Sequence, residues 1–402
     1  IKNINLFPNY NRSFDFLQGI GWIINMINTE SDLILFLNYR KDLFENKTGS
    51  VKIFSLKNFD IVIKSTSDKQ KSKEHIHETY IGLKEINKLV KLIPNFIYTF
   101  GLFQDSTINN INTINVINEK ISGETLSSYI KSNNFNMKTF LFILIQICLS
   151  LEIAQKECAF VHYDLTPWNI MLQGVNGEIQ FDYKLSIDNI IRITTNIIPV
   201  IIDYGKSHVI HNNIHHGYIN MYKFSTIQDV ISLLLQSIYQ ILTDQKLSKD
   251  DINVLLILTN FLTNTDYHKE KIKNIYEMKL FLNKAKKYNE LIYSNKYELE
   301  NKCPLDLINY IFDNIMKFPD SYKRVDDYKQ VMNNYNAKQV FNYTLSDNNE
   351  EKLQSYIDVY EKVNVCNLPI PKNTFFKYYT IQTLYTHMLS VTNSFIHFLT
   401  TN

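Results

Sequence analysis

Apolar and polar residues alternate through NFDIVIK at positions 58–64, the two-residue period of a half-buried strand, and the run closes on a lone cation, Lys64. The period then changes. Through EHIHETYIGLKEINKLV, positions 74–90, Ile76, Tyr80, Leu83, Ile86 and Val90 recur at helical intervals and predict an amphipathic helix. NTINVI at 112–117 returns to a strand pattern, and ISGETLSSYIK at 121–131 predicts the next helix. The most continuous apolar run, TFLFILIQICLSL at 139–151, is interrupted by Glu152 and is too short to span a bilayer, so a buried helix is expected.

Further on, Gly/Asn turn residues and alternating apolar positions in GVNGEIQFDYKLSIDNIIRITTN, 174–196, predict an inserted hairpin. STIQDVISLL at 225–234 is a helical pattern through Ile227, Val230, Leu233 and Leu234, with Asp229 set among the apolar residues. A carboxylate there needs hydrogen-bond partners, because burying it unpaired is expensive. At the ends of the chain, FDFLQGIGWIINMIN at 14–28 predicts a packed helix. Near the C-terminus, Ile381, Leu384, Tyr385, Met388, Phe395 and Phe398 form an apolar stripe expected to pack on the preceding domain.

Composition narrows the picture less than pattern does. The 402 residues are rich in Asn, Ile, Lys, Tyr and Phe and contain ten glycines, the usage of an AT-rich coding sequence. A net charge of +2 gives no bulk basic surface for nucleic acid or membrane lipid, and no nucleic-acid partner is expected. Cys148, Cys158, Cys303 and Cys366 are scattered without a C-x-x-C pair, which favours a reducing, cytoplasmic setting over a disulfide framework. The chain starts at Ile1 and shows no signal-peptide pattern, no internal repeat and no Pro/Gly/Ser-rich linker.

The chemistry concentrates in HYDLTPWNIML, 162–172, and PVIIDYG, 199–205. Asp164, Asn169 and Asp203 lie between apolar strand-like runs and form the polar set that handles a nucleotide γ-phosphate and its magnesium. These two motifs resemble the catalytic loop H-R-D-L-x-x-x-x-N and the metal motif D-F-G of the eukaryotic-type protein kinase superfamily, with Tyr204 in place of Phe. Lys64 resembles the third-strand V-A-I-K lysine, and Asp229 the aspartate of a D-V-x-S-L helix that receives backbone N–H groups from the catalytic loop.

The resemblance implies an α+β, bilobal kinase-like fold, with an extension at 1–40, a small β-rich N-lobe at 41–117, a larger helical C-lobe at 118–335 and a helical extension at 336–402. It implies ATP and Mg²⁺ or Mn²⁺ as cofactors and a protein hydroxyl, on Ser or Thr, as acceptor. Lys64 would position the phosphates. Either Glu78 or Glu85 can pair with it, and Glu78 is favoured as the nearer in sequence. Asp164 would orient the acceptor and take its proton, Asn169 and Asp203 would hold metal, and His162 and Asp229 would support the loop. Gly49 and Val51 would lie over the nucleotide, and the backbone of Asn118, Glu119 and Lys120 would form a hinge that meets adenine. The motif set as a whole looks like the divergent kinases of large DNA viruses.

Departures carry mechanism too. Phe44 and Asn46 stand where two phosphate-loop glycines are expected, and only Gly49 remains. Tyr163 replaces an arginine that receives an activating phosphate, so activation by phosphorylation is not expected. Thr166 replaces a lysine near the transferred phosphate, a charge that metal, Lys64 or Lys206 must supply. Arg324 resembles a C-lobe arginine whose usual glutamate is missing. SHVIHNNIHHGY, with His208, His211, His215 and His216, reads as a solvated loop, with a metal site as the sharper alternative. Two other function classes stay open. Pro167 suits the small-molecule phosphotransferases, and the glycine-poor loop suits a kinase-fold scaffold without turnover.

Overall fold

In the computed structural model the described residues are 38–46, 49–56, 59–90, 92–105, 113–185, 189–211, 214–217, 227–263, 271–283 and 303–316. The expected terminal helices, Arg324 and Cys366 lie outside them. The architecture is α+β, with antiparallel sheets and several helices. The described residues fall into two compact units, one drawn from 38–90 and 97–120, the other from 92–96 and 121–316.

The first unit is a five-stranded antiparallel sheet in the order β1-β2-β3-β5-β4: β1 Asn38–Asn46, β2 Gly49–Leu56, β3 Phe59–Thr66, β4 Thr99–Asp105 and β5 Thr113–Glu119. Alternation in NFDIVIK places Ile61 and Ile63 in the core, while Val51 and Val116 sit in register on either side of Lys64. Helix α1, Lys69–Ile81, begins earlier than its apolar period suggests. Asp68 caps it by accepting from the Lys71 N–H at 2.8 Å, so the polar run KQKSK is helical although its composition hides the period.

The helix widens into a π turn over Gly82–Ile86, where glycine is required by Thr99. A Cβ at Gly82 would stand 2.6 Å from the Thr99 Cβ. Thr99 cannot retreat, because the buried Asn87 amide donates to its carbonyl at 2.8 Å and accepts from its N–H at 3.0 Å. These two bonds replace ladder partners where β4 is irregular between Thr99 and Gly101.

The second unit is built on α3, Met137–Cys158, which follows β6, Gly123–Thr125, and α2, Leu126–Lys131. The helix runs past the apolar stretch seen in the sequence to Cys158, and its length and composition suffice to cross a membrane. Its most apolar window is 83% buried within the protein, however, which makes it a core helix. The internal position of Glu152 explains the longer helix. Its carboxylate pairs with Lys156 one turn on at 3.2 Å, so the charge does not end the element. Phe140, Leu144, Ile147 and Leu151 are buried along it, and α6, Pro304–Asn314, packs against it.

Strands β7, Ile170–Lys184, and β8, Ile190–Ile201, form the expected hairpin, and β6 extends it to a three-stranded sheet. Pro199 sits within β8 and brings no N–H to the ladder. Its carbonyl accepts from the Asn95 amide at 2.9 Å, the Asn95 carbonyl accepts from the Ile201 N–H at 2.7 Å, and the Tyr183 hydroxyl donates to Asn95 Oδ1 at 2.8 Å. The small ribbon of β9, Val209–His211, and β10, Ile214–His216, follows. Helices α4, Gln228–Asp244, and α5, Lys249–Thr263, come next in the chain.

Gly82→Ala is expected to destabilise the protein by about 1–3 kcal/mol through overpacking against Thr99. Gly174→Ala, at a position with nothing within 4 Å, serves as the control and is expected to be neutral. Denaturant unfolding of the two variants gives the comparison, and equal midpoints would show that the Gly82 contact does not constrain the helix.

Candidate functional site

The first unit holds one group of site residues. Lys64 extends from the middle of β3 and its Nζ lies 2.8 Å from Glu78 Oε1 on α1. Of the two acidic candidates, Glu78 makes this contact, and it is only 1% exposed. Glu85 lies further along, in the π turn, and pairs with Lys88 at 2.9 Å. The Asn118 amide also donates to Glu78 Oε1, at 3.3 Å. The sequence alone assigns a role only to the backbone of Asn118. The overlooked signal is its spacing two residues from Val116, which puts both side chains on one face of β5.

Two of the three residues expected at a hinge belong to the strand instead. Asn118 and Glu119 are still in β5, and the Glu119 N–H already donates to the Tyr98 carbonyl at 3.0 Å. Glu119 Oε2 accepts from the Tyr98 N–H at 3.2 Å, and Lys120, the first residue beyond the strand, pairs with Asp60 at 3.3 Å. Polar residues that read as the end of a strand are therefore buried members of it. Burial, reinforced by the Glu119 charge, pushes the Tyr98 phenol well above its usual range.

Gly49 has a structural reason to be glycine. A Cβ there would stand 2.9 Å from the Ser65 carbonyl oxygen, so close approach of β2 to β3 demands it. Val51 lies opposite Lys64, and Phe44 is exposed near the end of β1.

The second unit holds the other group. Asp229, in the first turn of α4, is fully buried and accepts from the His162 N–H at 2.7 Å and the Tyr163 N–H at 2.9 Å, one on each oxygen. Desolvation raises the Asp229 carboxyl above the ordinary range, an effect opposed by His162 and by these two N–H donors. Tyr163 is held at φ 61°, a left-handed conformation uncommon for a non-glycine residue. Its phenol is pushed well up by burial and by the Asp229 charge.

His162 bridges the two motifs. Its Nδ1 accepts from the Asp164 N–H at 3.3 Å, and its Nε2 lies 2.9 Å from the Ile202 carbonyl. Asn169 closes the one-turn segment Pro167–Asn169 and donates from Nδ2 to the Asp164 carbonyl at 2.9 Å, which leaves Oδ1 as its acceptor. The Ile202 N–H donates to the Asn169 carbonyl at 3.0 Å, and Ile170 pairs with Ile201. Asp164, Asn169 and Asp203 are thus attached to one end of the β7–β8 ladder. Asp203 is itself left-handed, at φ 71°. Two non-glycine residues in this conformation within bonded segments mark a locally over-determined backbone.

Two histidines of the stretch expected to be a solvated loop are not solvated. His208 and His216 are buried, and His208 Nδ1 lies 3.1 Å from the Ala159 carbonyl. Among the described residues no group of three or more His, Cys, Asp or Glu is arranged to hold a metal ion by itself. Asn169 and Asp203 offer two oxygen donors. That suits a magnesium ion whose other ligands are phosphate oxygens and water.

Asp229→Asn is expected to turn one acceptor into a donor facing a buried N–H. The expected loss is about 1–3 kcal/mol of stability, read by urea unfolding, together with loss of whatever activity the 162–169 segment performs. Unchanged stability would show that the two backbone bonds are not the support they look to be.

No protein-family model matches the chain. It is 34% identical over 382 residues to uncharacterized protein 179R of Invertebrate iridescent virus 6, covering 86% of this chain and 32% of that protein. It is 31% identical over 223 residues to uncharacterized protein 035R of Invertebrate iridescent virus 3, covering 49% of this chain and 20% of that protein. A third viral relative, named probable kinase 098L, also of Invertebrate iridescent virus 3, is 32% identical over 161 residues, 40% of this chain and 29% of that protein. The chain spans about a third or less of the length of these curated relatives.

Proposed function

We propose that this chain is an ATP-dependent phosphotransferase of the protein kinase type, acting on protein hydroxyls of Ser or Thr. The observation that carries the reading is the bonded frame of Asp164, Asn169 and Asp203, in which Asn169 donates to the Asp164 carbonyl and accepts the Ile202 N–H. The probable-kinase name of the third relative points the same way.

In this reading Lys64, kept extended by Glu78, bonds the α- and β-phosphates, and Asn118 limits the freedom of Glu78. Asp164 accepts a hydrogen bond from the acceptor hydroxyl and takes its proton as the new phosphate ester forms. Asn169 Oδ1 and the Asp203 carboxylate are the residues suited to Mg²⁺ or Mn²⁺, which when bound neutralises charge on the β- and γ-phosphates. His162 and Asp229 act through the backbone and touch no reactant. Trp168, 47% exposed between Asp164 and Asn169, is available to an acceptor's apolar surface.

Labelled-ATP transfer, assayed on generic proteins and on small hydroxylated molecules in parallel, tests the reading. Label on protein Ser or Thr supports it; label confined to small molecules replaces the acceptor class; nucleotide binding without transfer to anything leaves a scaffold. Asp203→Asn is expected to abolish transfer without lowering the melting temperature. Lys64→Met is expected to cost about 100-fold or more in rate with a smaller effect on nucleotide affinity. Glu78→Gln should reproduce that loss and Glu85→Gln should not. Transfer that persists in a chelator would overturn the metal-dependent mechanism.

A further inference from the structure

We infer that Lys206 is the cation that faces the transferred phosphoryl group, reaching it from the turn after Asp203 while also holding Asp164. The inference rests on the phosphotransferase reading above. Between His162 and Asn169 the chain has no lysine or arginine. Tyr163 and Thr166 are both buried and bring no cation to the segment. Lys206 Nζ lies 3.0 Å from Asp164 Oδ2, against the very carboxylate assigned to the acceptor proton.

Folding does not explain that contact. The two side chains are 39% and 33% exposed, and ion pairs so open to solvent contribute little to stability. The backbone beneath Lys206 is nonetheless firmly anchored. The Ser207 N–H donates to the Tyr204 carbonyl at 3.0 Å, closing a turn with Gly205 and Lys206 at its centre. Tyr204 and Ser207 are fully buried on either side; the Tyr204 hydroxyl donates to the Ile201 carbonyl at 3.0 Å, and Ser207 Oγ to the His162 carbonyl at 3.3 Å. The next residue makes a reciprocal backbone pair with the catalytic segment, His208 N–H to Val161 carbonyl at 2.7 Å and Val161 N–H to His208 carbonyl at 3.0 Å. A fixed Cα with a four-carbon stem keeps the ammonium close to Asp164 and free to swing by a few ångströms.

The chemistry uses both properties. The acceptor oxygen bonds to the γ-phosphorus as the bond from that phosphorus to the β,γ-bridging oxygen breaks; ADP leaves with the electron pair, and the hydroxyl proton passes to Asp164. Protonation removes the charge that held Lys206. The ammonium, with three N–H donors, then shifts its strongest bond from Asp164 to the oxygens of the phosphoryl group in transit. Before transfer Lys206 is a positioning residue for Asp164, and during transfer it stabilises charge.

Steady-state transfer by the full chain, with MgATP affinity measured by calorimetry, separates this role from a structural one. Lys206→Met is expected to lower kcat about 100-fold while KM for ATP, MgATP affinity and melting temperature stay near wild type. Lys206→Arg is expected to recover most of the lost kcat. Unchanged kcat in Lys206→Met, a loss confined to KM, or no recovery with arginine would overturn the assignment. If wild type transfers phosphate, Asp203→Asn abolishes it and Lys206→Met does not, Lys206 alone has been misassigned. If wild type transfers to no acceptor, the phosphotransferase reading falls and takes this inference with it.

Discussion

The candidate site in the second unit depends on a single buried carboxylate. Asp229 is removed from water, and a buried charge without compensation would cost several kcal/mol, roughly; among the described residues it is compensated by two backbone N–H groups and by the neighbouring His162. Meeting both donors, His162 at 2.7 Å and Tyr163 at 2.9 Å, bends the chain so that Tyr163 adopts φ 61°. The next residue, Asp164, therefore leaves the clamp in a fixed direction, and its N–H falls on the His162 ring. That ring reaches the Ile202 carbonyl and so connects Asp164 to the residue before Asp203. An electrostatic requirement in α4 is converted, bond by bond, into the position of two carboxylates.

A second constraint sets the other end of that chain. The β7–β8 ladder must carry Pro199, which has no donor, and keep Asn169 next to Ile202. Asn95 makes this possible by using its side-chain amide on the Pro199 carbonyl and its own carbonyl on the Ile201 N–H, while Tyr183 from β7 satisfies Asn95 Oδ1. A proline in a predicted strand ordinarily argues for an edge or a break. Here the bonds to the strand come from Asn95, 104 positions from Pro199 in sequence, which local pattern cannot reveal.

The same distinction governs what could be read beforehand. Elements whose burial is one-sided, such as β3 with its NFDIVIK alternation and α4 with Ile227, Val230, Leu233 and Leu234, declare their period in the sequence. The start of α1 does not, because KQKSK is polar throughout and its first turn is fixed by a capping bond to Asp68. Among the site residues, Asp164, Asn169 and Asp203 announce themselves as oxygen donors in apolar company. Side chains that bond other side chains do so less readily, the Lys64–Glu78 pair excepted. Spacing puts Asn118 on the face of β5 that carries Val116, but nothing local names Glu78 as its partner, nor tells Lys206 that its partner is Asp164, forty-two residues earlier. The histidine stretch differs from its pattern for a related reason: polar composition suggests solvent, but His208 is drawn inside by its backbone exchange with Val161.

The nature of the clamp also bears on control. A loop ordered by a surface arginine can wait for a phosphate, since charge added in solvent makes the missing bond. Tyr163 offers no such cation: its ring is buried and its N–H is committed to Asp229. The ordering force is a carboxylate sealed in the core, and a charge placed at the surface is screened from it by protein and solvent alike. Under the function proposed above, competence of the 162–169 segment is therefore set when the second unit folds, and any regulation has to act elsewhere, on access of the acceptor or on the Lys64–Glu78 pair, whose buried glutamate is shared with Asn118.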